Sequence, residues 1–306
     1  MTNILVTGGL GTIGSVLVPE LRQRGHNVDL CDLRHNHDTS YHKCDIGSFR
    51  QIQNLFARKQ YDYVYHLAAE FGRWNGEAFY DTLWRSNVVG NKNLIRLQED
   101  HKFRMVFFSS SEVYGDWPGL MSEEVMEKHE VRQLNDYAIS KWVGEMQCMN
   151  SAAEHGTETV RVRLFNCYGP GEYYSLYRSV VCRFIFSAMM GLPYTVYLGH
   201  HRTSIYITDM VRTLANIVER FNPGAVYNIG GTEYHDIKYL SDSILARLGL
   251  DDHLVTYADT EPFTTHDKKV SIEKATRDLD HKCLVTLDQG LSQTIQWMRD
   301  VYSEVD

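Results

Sequence analysis

No stretch of this chain approaches the roughly eighteen consecutive apolar residues that a membrane-spanning helix needs, although apolar side chains make up 43% of its 306 residues. A membrane-embedded protein is therefore not expected. Positive charge is also scarce: 31 Lys and Arg stand against 39 Asp and Glu, a formal net charge of −8. Nucleic-acid binding calls for a basic stripe, and the sequence has none. A small anionic ligand is still allowed, because one nearby arginine outweighs a mild distant field. The six cysteines (Cys31, Cys44, Cys148, Cys167, Cys182, Cys283) contain no Cys-x-x-Cys spacing. Free thiols in a reducing compartment are expected, hence a cytoplasmic protein. His35-x-His37 and His200-His201 lack partner Cys or carboxylates at ligand spacing, so no metal site is expected. Internal repeats and low-complexity linkers are missing too. The first residues already read as a strand, which argues against a secretory leader.

What the chain does have is a glycine turn near its start. Ile4-Leu5-Val6 is a short apolar run, and Gly8, Gly11 and Gly14 follow at three-residue spacing, with Thr12 and Ile13 between them. Residues 13–21 then show helical periodicity, with Pro19 as the one breaker inside it. Strand, glycine turn and helix together make a cradle for a dinucleotide pyrophosphate, held by backbone N–H groups at the helix N-terminus. A second strand, 26–31, ends at Asp32, where a carboxylate can bind the adenosine ribose and repel a 2′-phosphate. NAD rather than NADP is therefore expected.

The remaining pattern alternates strand and helix. A short strand, 41–44, leads to Asp45-Ile46, and 48–58 reads as a helix. The apolar run 61–69 ends in Leu67-Ala68-Ala69, and a helix is expected over 77–100. A buried strand, 105–108, ends in Ser109-Ser110-Ser111-Glu112, and 135–155 is helical. Strand 160–165 leads to Asn166. Such alternation predicts an α/β fold with a doubly wound parallel sheet of Rossmann type, its ligands bound beyond the carboxyl ends of the strands. Past Pro170 the strands become short and isolated. A smaller, interleaved C-terminal substrate-binding lobe is expected over 171–203 and 233–306, with 1–170 and about 204–232 forming the sheet domain.

Tyr137 and Lys141 lie four apart and share one helix face. A tyrosine is a poor base at neutral pH, but a neighbouring ammonium favours its phenolate. A serine at the preceding strand end can hydrogen-bond the hydroxyl that the tyrosine deprotonates. Glu112 is a carboxylate placed to remove a proton beside a new ketone.

These pieces resemble the extended short-chain dehydrogenase/reductases, specifically the NAD-dependent nucleotide-sugar epimerases, dehydratases and decarboxylases. The resemblance runs nearly end to end. It rests on Thr7-Gly8-Gly9-Leu10-Gly11-Thr12-Ile13-Gly14, Asp32, Asp45-Ile46, His66-Leu67-Ala68-Ala69, Asn87-Val88-Val89-Gly90 and Tyr137-x-x-x-Lys141. It continues through Arg163-Leu164-Phe165-Asn166-x-x-Gly169-Pro170, Arg202-x-x-x-Tyr206-x-x-Asp209 and Tyr227-Asn228-Ile229-Gly230-Gly231. By resemblance Ser110, Tyr137 and Lys141 form the catalytic triad. Gly8, Gly11, Thr12, Ile13, Gly14, Asp32, Asp45, Ile46, Leu67, Ala68, Ala69, Asn87, Tyr137 and Lys141 would contact NAD, and Asn166 and Arg202 a nucleotide-diphosphate sugar. Where dehydratases often carry Asp-Glu, this chain has Ser111-Glu112, and Phe71-Gly72-Arg73-Trp74-Asn75 follows no subfamily pattern. A 4,6-dehydratase with Glu112 as the C5 base and Ser111 assisting the leaving hydroxyl is the first expectation. A 4-epimerase or a UDP-glucuronate-type decarboxylase is the alternative. A non-catalytic NAD-binding regulatory protein is the alternative of another class. The resemblance also implies a homodimer in which the helices around Phe79-Leu83-Trp84 and Trp142-Met146-Met149 pair into a four-helix bundle.

Overall fold

The computed structural model describes residues 1–302. At its centre lie seven parallel strands: β1 (Asn3–Thr7), β2 (Asn27–Asp32), β3 (Tyr41–Lys43), β4 (Tyr63–His66), β5 (Arg104–Ser110), β6 (Thr159–Leu164) and a last strand, Val226–Ile229. Their spatial order is Val226–Ile229, β6, β5, β4, β1, β2, β3. The order reverses at β1, so the crevice beyond β1 and β4 is where a doubly wound sheet binds its ligand. Both faces of the sheet are covered, which explains why its strands read as continuous apolar runs. Ile4 and Val6 pack on one side, with Leu17, Leu21, Met210 and Leu214. Leu5 points the other way, toward Ile52, Val64, Leu94 and Phe107. A third core, built from Phe184, Ile185, Leu240, Ile244, Leu291 and Ile295, lies in the C-terminal part of the chain. Ala275 and Leu279, assigned from sequence to the smaller lobe, pack instead in the core of the main sheet.

Several local expectations are refined. Helix Gly14–Gln23 runs through Pro19 without ending there. Strand β4 stops at His66, leaving Leu67-Ala68-Ala69 as open chain. The single helix expected over 77–100 is three pieces, Arg73–Ala78, Tyr80–Trp84 and Asn91–His101, joined by a π-helical turn at Arg85–Gly90. Phe79 breaks the first junction with a non-helical backbone (φ −132°, ψ 52°). The π turn rotates Asn87 inward, as such turns do at functional sites. Of the apolar residues expected on an outer face, Leu83 is fully buried. Trp142 leans on the cluster of Val113, Tyr114 and Phe165. Phe79, Met146 and Met149 are exposed, as are Tyr80 and Val89.

Among the described residues no helix is long and apolar enough to cross a membrane. No group of three or more His, Cys, Asp or Glu among them could hold a metal ion.

Candidate active site

After β1 the chain turns at Gly8 (φ 70°), a conformation that glycine adopts without strain. The Gly8 and Gly9 amides both donate to the carbonyl of Cys31, at 2.8 and 3.2 Å, which fastens the turn to the end of β2. A Cβ on Gly14 would stand 2.5 Å from the Gly8 carbonyl oxygen, so only glycine lets the helix start this close to the strand. Gly8, Gly11, Thr12, Ile13 and Gly14 line one end of a cavity of about 690 Å³. Asp32 sits at the same end and accepts from the amides of Leu10 (3.1 Å) and Leu33 (2.8 Å). Asp45, Ile46, Leu67, Ala68 and Ala69 complete that end.

Asn87, expected at the cofactor, is buried in the π turn beside the cavity. It lies behind the lining, where its amide brackets Glu70. Its Oδ1 accepts from the Glu70 amide at 2.9 Å, and its Nδ2 donates to the Glu70 carbonyl at 2.9 Å and to Ser140 Oγ at 3.0 Å. Its part is to shape the loop after β4. The remaining residues fit a dinucleotide: a glycine cradle that a Cβ would fill, an open helix N-terminus and a carboxylate at the end of β2. Asp32→Ala is expected to weaken NAD binding about tenfold to a hundredfold, the worth of a hydrogen bond to a charged group, and to leave NADP unaffected or tighter. Direct titration of both dinucleotides checks this; an unaltered NAD/NADP ratio in the variant would remove Asp32 from the ribose.

At the other end, β5 stops at Ser110 and a single tight turn carries Ser111 and Glu112, whose amide donates to Ser110 Oγ at 3.2 Å. Helix Asp136–His155 is capped by Asn135, whose Oδ1 accepts from the Ala138 amide at 2.8 Å, so Tyr137 and Lys141 emerge together near its start. Tyr137 and Ser110 line the same end of the cavity. Lys141 donates to the Phe108 carbonyl at 2.9 Å and lies 5.8 Å from the centre of the Tyr137 ring. Burial brings Lys141 down to about 8. The expected easing of tyrosine ionisation is not found: burial, helped by the Glu112 charge, pushes Tyr137 up to about 12 against the lowering influence of Ser110.

Glu112 is not a free base. Its Oε1 is ion-paired with Lys268 Nζ, and Arg73 Nε stands 3.8 Å from it. Burial would raise its pKa, but Lys268, Arg73 and Arg202 outweigh that and hold the carboxyl below its ordinary value. Lys268 is itself brought down to about 8, first by burial and then by the two arginines, against the pull of Glu112. Of the three cations around Glu112, Lys268 is the one that can release a proton near neutral pH. Arg73 also pairs with Glu261 at 2.9 Å, and Arg202 lies 3.8 Å from the same carboxylate.

Asn166 and Arg202 line the same cavity. Asn166 holds an uncommon φ of 22° and donates to the Thr203 carbonyl at 3.0 Å. Arg202 is largely committed to the fold: its Nη1 donates to the carbonyls of His201 and His266, each at 2.8 Å. Two arginines that sequence reasoning missed share the lining. Arg178 donates to Thr12 Oγ1 at 3.1 Å and lies 4.4 Å over the Phe71 ring. Arg183 is half-buried, and its Nε is buried and unpartnered among the described residues. No sequence signal marks Arg73, Arg183, Glu261 or Lys268, because each comes from a segment without a motif.

Behind the site, Glu145 anchors the end of β5. It accepts from Ser109 Oγ at 2.6 Å, from Arg163 Nε and Nη2 at 2.9 Å each, and from Arg161 at 3.3 Å. Arg163 also donates to the Tyr114 hydroxyl at 2.9 Å, so the turn carrying Ser111 and Glu112 is gripped from both sides.

The family model for the NAD-dependent epimerase/dehydratase family matches residues 4–230. The chain is 30% identical to a UDP-N-acetyl-alpha-D-glucosaminuronate decarboxylase of Bacillus cytotoxicus, with 98% of each protein covered. It is 28% identical to a dTDP-glucose 4,6-dehydratase of Salmonella typhimurium, covering 96% of this chain and 92% of the relative. Among solved structures, MoeE5 in complex with UDP-glucuronic acid and NAD superposes with a TM-score of 0.86 at 27% identity, covering 98% of this chain and 99% of MoeE5.

Proposed function

This chain belongs to the NAD-dependent epimerase/dehydratase family, an NAD-dependent enzyme acting on nucleotide sugars, and from that premise we propose that its sugar carries a carboxylate at C6, lost through a transient 4-ketone. The observation that carries this reading is the ion cluster at the catalytic end. Arg73, Arg202 and Lys268, with Arg183 beside them, face Glu112, Glu261 and Asp267, four cations to three carboxylates. A buried charge without a counter-ion is costly, and one sugar carboxylate supplies the counter-ion. The relative named for UDP-N-acetyl-alpha-D-glucosaminuronate supports it, since that ligand carries such a group. The elimination reading asks more of this site than it offers. A carboxylate held ionised by three cations is a weak base, and Ser111 is no acid for a departing hydroxyl.

When bound, NAD supplies a hydride acceptor for C4 and one positive charge. Tyr137, with Ser110 beside it in the lining, takes the proton of the 4-hydroxyl as C4 gives up its hydride, and returns that proton to O4 after decarboxylation, when C4 takes the hydride back. Lys141 offsets the phenolate charge. The ketone makes the substrate a β-keto acid: the C5–C6 bond breaks, carbon dioxide leaves, and the electron pair moves into a C4–C5 enolate. Lys268 stabilises that enolate and delivers its proton to C5. Glu112 keeps Lys268 and Arg73 in place. We read Arg183, Asn166 and Arg202 as the groups that meet the diphosphate, because all three line the cavity.

Incubating the NAD-loaded protein with UDP-, dTDP-, GDP- and CDP-linked sugars, neutral and acidic, and weighing the products tests the reading. Loss of carbon dioxide from an acid sugar is expected. Loss of water from a neutral sugar would establish the dehydratase, an isomer of unchanged mass the epimerase, and no turnover of any sugar the regulatory protein. The free thiols suit a cytoplasmic enzyme. We further read the exposed Phe79, Tyr80, Val89, Met146 and Met149 as the face of a homodimer, because such a patch on two neighbouring helices would otherwise meet water. Light scattering at micromolar concentration is expected to give twice the chain mass; a monomer mass would contradict the dimer.

A further inference from the structure

The segment Phe71–Asn75, which follows no subfamily pattern, delivers a charged side chain to the reacting end of the cavity. The loop is closed by Asn75, whose Nδ2 donates to Glu70 Oε2 at 2.9 Å and to the Phe71 carbonyl at 3.1 Å. Trp74 sets its ring against the edge of Phe263, with centres 5.4 Å apart. Gly76, one turn on, packs against the Tyr137 backbone: a Cβ there would stand 3.3 Å from the Tyr137 nitrogen. Arg73 is thus clamped between the catalytic helix and the segment that carries Glu261 and Lys268.

The three cations at this end are not equivalent. Lys268 is spent on Glu112 and holds the mobile proton. Arg202 gives its Nη1 to two backbone carbonyls and directs its Nη2 to Thr264 Oγ1 at 3.4 Å. Arg73 uses Nη2 on Glu261 and turns Nε toward Glu112, but its Nη1 is buried with no hydrogen-bond partner among the described residues. An arginine N–H left unmade in a buried site costs free energy that a ligand oxygen recovers. A guanidinium also matches a carboxylate better than an ammonium does. We propose that Arg73 is the specificity-determining residue for the acid sugar: its Nη1 takes an oxygen of the C6 carboxylate and holds it until the C5–C6 bond breaks. This rests on the acid-sugar reading above. It adds that a residue outside the family motifs decides acid sugar against neutral sugar.

The test is calorimetric binding of UDP-glucuronic acid, UDP-glucose and UDP to the NAD-loaded protein, wild type and Arg73→Gln. Wild type is expected to favour UDP-glucuronic acid over UDP-glucose by about 10- to 100-fold, the worth of a charged hydrogen bond. Arg73→Gln should bring that ratio to near parity while UDP affinity stays unchanged. Arg73→Lys, which keeps the charge without the fork, should recover part of the preference, and it tests the inference even where the glutamine variant folds poorly. A full preference retained in both variants overturns the role of Arg73 and leaves the acid-sugar reading standing. A wild type with no preference for the acid sugar overturns the reading itself. Equal loss of all three ligands in Arg73→Lys would make Arg73 a structural residue and also overturn the inference.

Discussion

Lys268→Met is expected to lower the formation of decarboxylated product by about 10²–10⁴-fold, the usual contribution of a positioned proton donor. Nicotinamide reduction on mixing with substrate should survive, because Ser110, Tyr137 and Lys141 are untouched. The keto acid, or its decarboxylated ketone, should then accumulate and leak. The wild-type enzyme should show the same dependence through pH. Burial and the neighbouring arginines bring Lys268 to about 8, so product formation should fall as pH rises through that value. This loss is not unfolding. The folded state releases this proton before the unfolded chain does, whose lysine lies near 10.5, so this group's contribution to stability grows from about pH 8 to 10.5. Lys141 also lies near 8, and following nicotinamide reduction separately from product isolates its share. Product formation by Lys268→Met at the wild-type rate would remove Lys268 from the proton transfer.

Glu145→Ala is expected to destabilise the protein by about 3–5 kcal/mol, because it strands Arg163 and Arg161 in the interior with no counter-charge. Turnover should fall as well, since Ser109 loses its anchor one residue before Ser110. The shift in the urea midpoint measures the first effect. Replacing Glu145 and Arg163 together by Leu and Met should restore part of the stability, since it removes the more deeply buried stranded charge and leaves only Arg161 without its counter-charge. The pH dependence follows from the direction of the shift. Burial would raise the Glu145 carboxyl, but Arg163, Arg161 and Ser109 hold it below its ordinary 4.5. Its contribution is therefore present above about pH 4.5 and is lost as pH falls through the lower folded value. A double replacement no more stable than Glu145→Ala would show that the cost lies elsewhere than in the stranded charges.

The parts of the site that were legible in the sequence are those written locally. The glycine turn, the carboxylate at the end of β2 and the Tyr137/Lys141 pair each sit within a few residues of a strand end or a helix start, where periodicity announces the element. Lys268 reaches Glu112 across 156 positions, and Arg73 reaches Glu261 across 188. No local pattern can report such pairings. The environment of Glu112 was misjudged for that reason: from sequence it was a lone carboxylate, and in the fold it is ringed by cations. Arg163 stood in a family motif with no role attached and Arg161 in none, because their partner, Glu145, lies on another element. Asn87 was given to the cofactor by the family resemblance alone; in the fold it lies in the π turn at Arg85–Gly90 and its amide pairs with the Glu70 backbone.

Carboxyl-labelled UDP-glucuronic acid, or the acid sugar of whichever nucleotide the product panel selects, incubated with the NAD-loaded protein in deuterated water tests the central claim most directly. The account predicts that the label leaves as carbon dioxide while the remaining sugar gains one deuterium at C5, delivered through Lys268. Retention of the label in a product of unchanged carbon count, with or without inversion at C4, would contradict it.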